Sequence, residues 1–232
     1  MNKITASFEK FVSSIYPFKK SAIVDQVKKM NESPAMMPKA IMNPYILEER
    51  QLNVAQLDVF SRLMMDRVMV FSDEVNSATA ITSVCQLLYL DSIGEEDITM
   101  YINSPGGSVI DGLGIVDTMN YIKSDVSTIN VANSHSMGSI LLGSGAKGKR
   151  YSLPSARVMI HQPLGGTQGQ ASDIEIEAKL ILAMKKDLVQ RIADFSGQKY
   201  EKVYADCDRN YWMTAQEAKA YGIIDDIITK KK

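Results

Sequence analysis

A mainly parallel α/β sheet built from repeated βαβ units, with one helix too long to serve only as cover, is the fold this sequence predicts. Three observations predict it. From residue 67 onward, apolar runs of five to seven residues alternate with helical patterns of 10–16 residues. Glycine and proline punctuate the joins, as in "NSPGGSV" and "HQPLGG". A helical pattern of 23 residues, Asp173 to Phe195, then follows a glycine-rich ribbon, and at 1.5 Å per residue it spans about 35 Å.

Taken in order, residues 1–39 stand apart: they carry seven lysines, three acids and no glycine. Phe8, Phe11, Val12 and Ile15 fall at helical spacing, which predicts an amphipathic helix closed by the linker "ESPAMMPKA". Lys10, Lys19 and Lys20 interrupt any apolar stretch of a secretory signal, so the segment reads as an extension or propeptide, or as a helix packed on the domain or a partner. "RVMVF" (67–71) predicts a strand, and "SATAITSVCQLLYLDS" (77–92) a helix with Ala80, Val84, Leu87 and Leu88 inward. "ITMYIN" (98–103) predicts a second strand, "SPGGSV" a turn and "IDGLGIVDTMNYIK" (110–123) a helix. "VSTINVA" (126–132) predicts a strand, the Ser136 segment a helix, and "ARVMIHQ" (156–162) a further strand. The ribbon "LGGTQGQAS" (164–172) leads into the long helix, for which Ser172 and Glu175 have the spacing of an N-cap and capping box and Gly197 is a stop. Its length predicts that it projects toward another subunit.

Composition excludes several function classes. With 26 basic and 27 acidic residues the net charge is −1, so no global field attracts nucleic acid or anionic lipid, and no apolar run is long enough to span a membrane. Cys85 lies in an apolar helical pattern and Cys207 in a polar, loop-like one, without metal-ligand spacing, which predicts a reducing cytoplasm and no metal. No phosphate-binding loop and no cofactor motif is present.

The candidate chemistry is nucleophilic. Ser136 follows a predicted parallel strand and opens a helix, and "SPGGSV" follows the neighbouring strand, at the carboxyl edge where open α/β sheets place their sites. A serine hydroxyl needs a base, and only His135 and His161 exist. Adjacent residues on an extended chain point to opposite sides, so His161, ending its own strand on the same edge, is the base expected. The N–H groups of Gly107 and Met137 are the candidate oxyanion donors.

Together, "INSPGGSV" (102–109), "SMGSILL" (136–142), "MIHQPLGGTQGQASDIEIEA" (159–178) and "MTAQEAKAYGIIDDII" (213–228), with "SRLMMDRVMVF" (61–71), closely resemble the proteolytic subunits of Clp proteases. The likeness runs from about residue 43 to the C-terminus. It implies the ClpP/crotonase-like fold of repeated ββα/βαβ units with a protruding handle helix, a peptidase domain over 43–232, and an extension or propeptide with axial segment over 1–42. It implies a serine endopeptidase with Ser136 as nucleophile and His161 as base, and substrate held by Gly106 and by Pro163, Leu164, Gly165 and Gly166 of the ribbon. Partners implied are polypeptide substrates, an AAA+ unfoldase of the ClpX or ClpA/ClpC type, and further copies forming two stacked heptameric rings. Tyr101, Met119, Tyr121 and Leu142 would then belong either to the unfoldase-receiving surface or to the core.

One departure bears on mechanism. Where the family has its third triad member, an aspartate, "DCDRNYWMTAQEA" has Asn210. An amide oxygen can accept the Nδ1–H bond but carries no charge, and Asp206 and Asp208 are the nearby alternatives. The chain is therefore expected to be a working Ser-His-Asn peptidase, one activated on assembly, or a weak or silent ring subunit paired with an active paralogue. His135 also departs, standing where the family has a small residue, and either lines the cleft or merely fits a strand end. The Ser136–His161 pairing speaks against the acyl-CoA chemistry of related crotonase-like enzymes.

Overall fold

The computed structural model describes residues 45–50 and 53–229. The amphipathic helix, linker and axial segment expected before residue 45 lie outside the described residues. The chain from Tyr45 onward forms one compact unit.

That unit opens with an antiparallel pair, β1 (Tyr45–Arg50) and β2 (Asn53–Asp58). Helix α1 (Val59–Met65) follows at once, its first N–H groups accepted by the Asp58 carboxylate. Strand β3 (Val68–Phe71) lies parallel to β4 (Ile98–Ser104), and α2 (Ser77–Ile93) crosses between them. Asn76 and Thr79 close the start of α2 as a reciprocal capping box. Strand β4 pairs with β5 (Val126–His135) through α3 (Val109–Tyr121), which Ser108 caps. Side chains of β4 are buried at alternate positions from Ile98 to Ser104, as a central strand requires.

Strand β5 is the branch point. Its first half pairs with β6 (Arg150–Ser152) and its last residues with β7 (Arg157–Ile160), both parallel. The short helix α4 (Met137–Gly143) leaves directly from its end and is buried along its whole length. Strand β6 carries β9 (Asp226–Ile227) at one edge, and β7 carries antiparallel β8 (Tyr211–Thr214) at the other. Between them run α5 (Ala171–Ser196), α6 (Tyr200–Asp206) and α7 (Ala215–Tyr221). The expected mainly parallel sheet is thus present, with one antiparallel edge strand.

Several expectations change. The inward stripe of α2 is Ala80, Ser83, Leu87 and Leu90, while Leu88 is exposed. A serine hides that stripe from a count of apolar residues, and it can be buried because its hydroxyl donates to the Thr79 carbonyl at 3.0 Å. Helix α5 begins at Ala171 with Gln170 as its N-cap, so Ser172 sits inside the first turn. Gly197 ends it in the left-handed conformation, its N–H bonded to the Ala193 carbonyl. Only the second half of α5 packs on the body, through Leu188, Val189, Ile192 and Ala193. Residues 171–180 are exposed on every side. Met119 and Leu142 are core residues, whereas Tyr121 is exposed. Cys207 is not in a polar loop: it ends α6 and is buried, and burial pushes its thiol pKa up to about 12.

Candidate active site

Strand register assembles the site. The last pair of β5 with β7 is His135 with Met159, and the N–H of Ser136, one residue on, donates to the Met159 carbonyl at 2.8 Å. The last pair of β7 with β8 is Ile160 with Tyr211. One more step of that antiparallel register sets His161 opposite Asn210, as neighbours across the strand pair. His161 Nε2 lies 2.8 Å from Ser136 Oγ, and His161 Nδ1 lies 2.9 Å from Asn210 Oδ1. If the serine hydroxyl donates to Nε2, Nδ1 carries the ring proton and donates it to the amide oxygen.

Ser136 is held in a conformation that costs energy. Its φ of 53° and ψ of −123° lie outside the ordinary regions for a residue with a side chain, a strain of about 1–3 kcal/mol. Three hydrogen bonds impose it: the bond to Met159, and those that its own carbonyl accepts from Ser139 N–H at 2.9 Å and Ser139 Oγ at 2.6 Å. Serine at a helix start normally caps with its hydroxyl. Here the hydroxyl makes no capping bond and is turned to His161 instead.

The paired glycines back directly onto this serine. A side chain at Gly106, whose φ is 94°, would come within 2.6 Å of Ser136 Cβ and 2.7 Å of the His135 carbonyl. One at Gly107 (φ 143°) would meet the Val75 carbonyl at 2.2 Å. Val75 N–H donates to the Gly106 carbonyl and Ser108 N–H to the Val75 carbonyl, each at 2.8 Å. Among the described residues the Gly107 N–H has no acceptor, and the N–H of Met137, first residue of α4, is one that a helix leaves unpaired. Gly106→Ala is accordingly expected to fold but, if Ser136 is the nucleophile, to lower hydrolytic activity at least about a hundredfold, because it displaces Ser136. Hydrolysis rate beside the circular dichroism of the variant checks this.

A cleft of about 680 Å³ opens beside Ser136 and His161, lined by Glu74, Gly106, Gly107, Ile110, Pro163, Leu164 and Met184 among others. Of the expected ribbon residues, Pro163 and Leu164 reach the cleft. Gly165 packs against the Ile181 side chain of α5, and Gly166 has open space around it. Glu74 and Met184 had no signal in the sequence, since they arrive from a bend before α2 and from the middle of α5.

The alternatives resolve by geometry. The Asp206 carboxylate is taken by Lys202 Nζ at 2.5 Å and the Tyr221 hydroxyl at 2.8 Å, and Asp208 lies 3.7 Å from its neighbour Arg209. Neither bonds His161. His135 does not line the cleft; its ring packs edge-on against Trp212 at 4.6 Å between centroids. Burial lowers its pKa, favouring the neutral ring, and among the described residues its buried Nε2 has no hydrogen-bond partner. No group of metal-ligating side chains is present among the described residues, nor a helix long and apolar enough to cross a membrane.

Comparison with known proteins identifies the family. The family model described as Clp protease matches residues 50–231. The ATP-dependent Clp protease proteolytic subunit of Bacteroides fragilis is 63% identical over 191 residues, covering 82% of this chain and 92% of that protein. The proteins of the same name from Bacteroides thetaiotaomicron and Porphyromonas gingivalis are 62% and 57% identical, each over 82% of this chain and over 87% and 86% of their own lengths. Likeness this extensive, over the same strands and loops that converge on the cleft, makes the chain a member of the Clp protease family and a peptidase.

Proposed function

We propose that the chain is a serine endopeptidase whose catalytic line is Ser136, His161 and Asn210. The observation that carries the reading is the unbroken hydrogen-bonded path from Ser136 Oγ through both ring nitrogens of His161 to Asn210 Oδ1, at 2.8 and 2.9 Å. Ser136 Oγ attacks the scissile carbonyl as its proton passes to His161 Nε2. The oxyanion is received by the N–H groups of Gly107 and Met137. His161 then gives the proton to the leaving amine, the C–N bond breaks, and an acyl-enzyme ester remains on Ser136. Water loses a proton to Nε2 and attacks the ester, the bond from the acyl carbon to Ser136 Oγ breaks as Nε2 returns the proton to that oxygen, and the second product leaves as a carboxylic acid. Asn210 holds the imidazole in the tautomer that leaves Nε2 free to accept. Substrate lies between the "GGSV" segment and the ribbon, with Gly106, Pro163, Leu164, Gly165 and Gly166 along it.

The same reading extends to assembly. The relatives named above are ATP-dependent proteolytic subunits, and we infer that ATP is used by a separate AAA+ unfoldase, of the ClpX or ClpA/ClpC type, that feeds unfolded polypeptides to this chain. The exposed first half of α5 carries Ile174, Ile176, Leu180 and Leu182. Covering that apolar surface by a second copy is the role we assign to it, in two stacked heptameric rings that enclose the sites. A chamber in the cytoplasm would restrict cleavage by access.

A fluorophosphonate probe with the full chain tests the central claim: covalent label on Ser136, lost in Ser136→Ala, is expected, and label elsewhere or none on assembled protein overturns it. In steady-state hydrolysis of a fluorogenic peptide, Asn210→Asp is expected to raise kcat about tenfold, because a carboxylate stabilises the imidazolium where an amide dipole cannot.

A further inference from the structure

We propose that Gln162 is the positioning residue that holds the Asn210 loop where Asn210 Oδ1 meets His161, an inference that rests on the catalytic line proposed above. Gln162 follows His161 and makes three bonds. Its N–H donates to the Cys207 carbonyl at 2.6 Å, its Nε2 to the Asp208 carbonyl at 2.8 Å, and its Oε1 accepts from Lys185 Nζ at 2.8 Å.

These partners leave the amide one orientation. An ammonium can only donate and a backbone carbonyl can only accept, so Oε1 must face Lys185 and Nε2 must face Asp208. No other side chain of this length does both: glutamate lacks the donor and methionine lacks both functions. Lys185 is itself placed from two sides, reaching from α5 and lying 4.4 Å over the Tyr204 ring of α6. The clamp therefore joins His161, the loop from Cys207 to Asn210, and the helices α5 and α6.

Packing does not do the same work. A hollow of about 400 Å³ lies among His161, Gln162, Leu164, Asp208, Arg209 and Asn210, so on this side the loop is fixed by hydrogen bonds rather than by a filled core. Charge does not do it either. An aspartate would be drawn to the imidazolium over several ångströms, but the Asn210 amide acts only at hydrogen-bond distance and only with its oxygen turned to Nδ1. A neutral third member makes the position of its loop decisive: the β7–β8 ladder fixes the side of Asn210 that leads into β8, and Gln162 fixes the side that comes from Cys207 and Asp208.

The test is steady-state hydrolysis of a fluorogenic peptide by the full chain, with oligomer size and melting temperature recorded. Gln162→Glu keeps the acceptor for Lys185, as an ion pair, and replaces the donor to Asp208 with a carboxylate oxygen that the Asp208 carbonyl repels. It is expected to lower kcat about ten- to a hundredfold with KM within about twofold and with assembly and melting temperature retained, as a loss of orientation would. In an Asn210→Ala background the same change should lower kcat less than about twofold, because the loop then carries nothing to position. Lys185→Met should lower kcat about threefold and Lys185→Arg should restore it, since either cation orients the amide. Gln162→Glu with parental kcat, or a full loss that persists with Asn210→Ala, would overturn the proposal and leave Gln162 a brace of the fold. Hydrolysis that survives Ser136→Ala would overturn the serine reading and the role of Gln162 with it, a result distinct from a serine enzyme indifferent to Gln162.

Discussion

Ser136→Ala is expected to lower kcat for peptide hydrolysis by about 10⁶, His161→Ala by as much, and the double variant by no more than either alone. In the proposed line Ser136 and His161 act on one proton. Without the base the hydroxyl is a poor nucleophile, and without the nucleophile the base has nothing to deprotonate, so the second loss removes nothing further. Asn210→Ala should cost less, about 10² to 10³, because an amide contributes tautomer and orientation but no charge to the imidazolium. Since the His161–Asn210 bond is exposed to solvent, water can replace part of it in that variant. Rates for the single and paired variants, each on assembled protein, check the set, and losses that multiply would show that the line does not act as a unit.

Much of this site was legible because strand–helix alternation placed Ser136, Gly107 and His161 on one edge before any coordinates. What stayed hidden depends on register and on very short elements. Strand β6 has three residues and β9 two, too few for a periodicity to show. Strand β5 runs on to His135, past the expected end at Ala132, and its last residues, Asn133, Ser134 and His135, are polar and so carry no strand signal although they pair with β7. The pairing of His161 with Asn210 joins positions 49 apart in sequence and is set by the β7–β8 ladder, of which β8 was not expected. Asn210 itself came from resemblance. The strain at Ser136 could not be read at all, since serine at a helix start is ordinarily a cap. The projecting half of α5 was foreseen from length alone, but its true N-cap was not, because a glutamine that makes no side-chain capping bond carries no signal.

The largest effect on stability should come from Arg150, far from the cleft. Its guanidinium is nearly buried and meets the Asp225 carboxylate with two bonds, Nε to Oδ2 at 2.9 Å and Nη2 to Oδ1 at 2.6 Å. Its Nη1 donates to the Phe195 carbonyl at 2.8 Å, in the last turn of α5, where a helix leaves carbonyls unpaired. One side chain thus ties β6 to the segment before β9 and to the seated end of the handle helix. Removing it strands a charge. Arg150→Met is expected to lose about 3 kcal/mol at neutral pH, the lower end for breaking a buried pair, because Asp225 is a fifth exposed. Burial alone would raise the Asp225 pKa, but the bonds from Arg150 outweigh it and hold the carboxyl below its usual 3.8. A depressed pKa contributes stability above the unfolded value and loses it as pH falls through the folded one, so the parent should keep this contribution down to about pH 4. In Arg150→Met the sign reverses: the lone buried carboxylate favours its proton, and the deficit against the parent should narrow as pH drops from 7 toward 4. Urea midpoints at fixed subunit concentration measure both. Adding Asp225→Asn to Arg150→Met should recover part of the loss at pH 7, since the stranded charge is gone while the bond to Phe195 is not restored. A double variant as unstable as the single at every pH would place the whole effect in the seating of α5 and none in the ion pair.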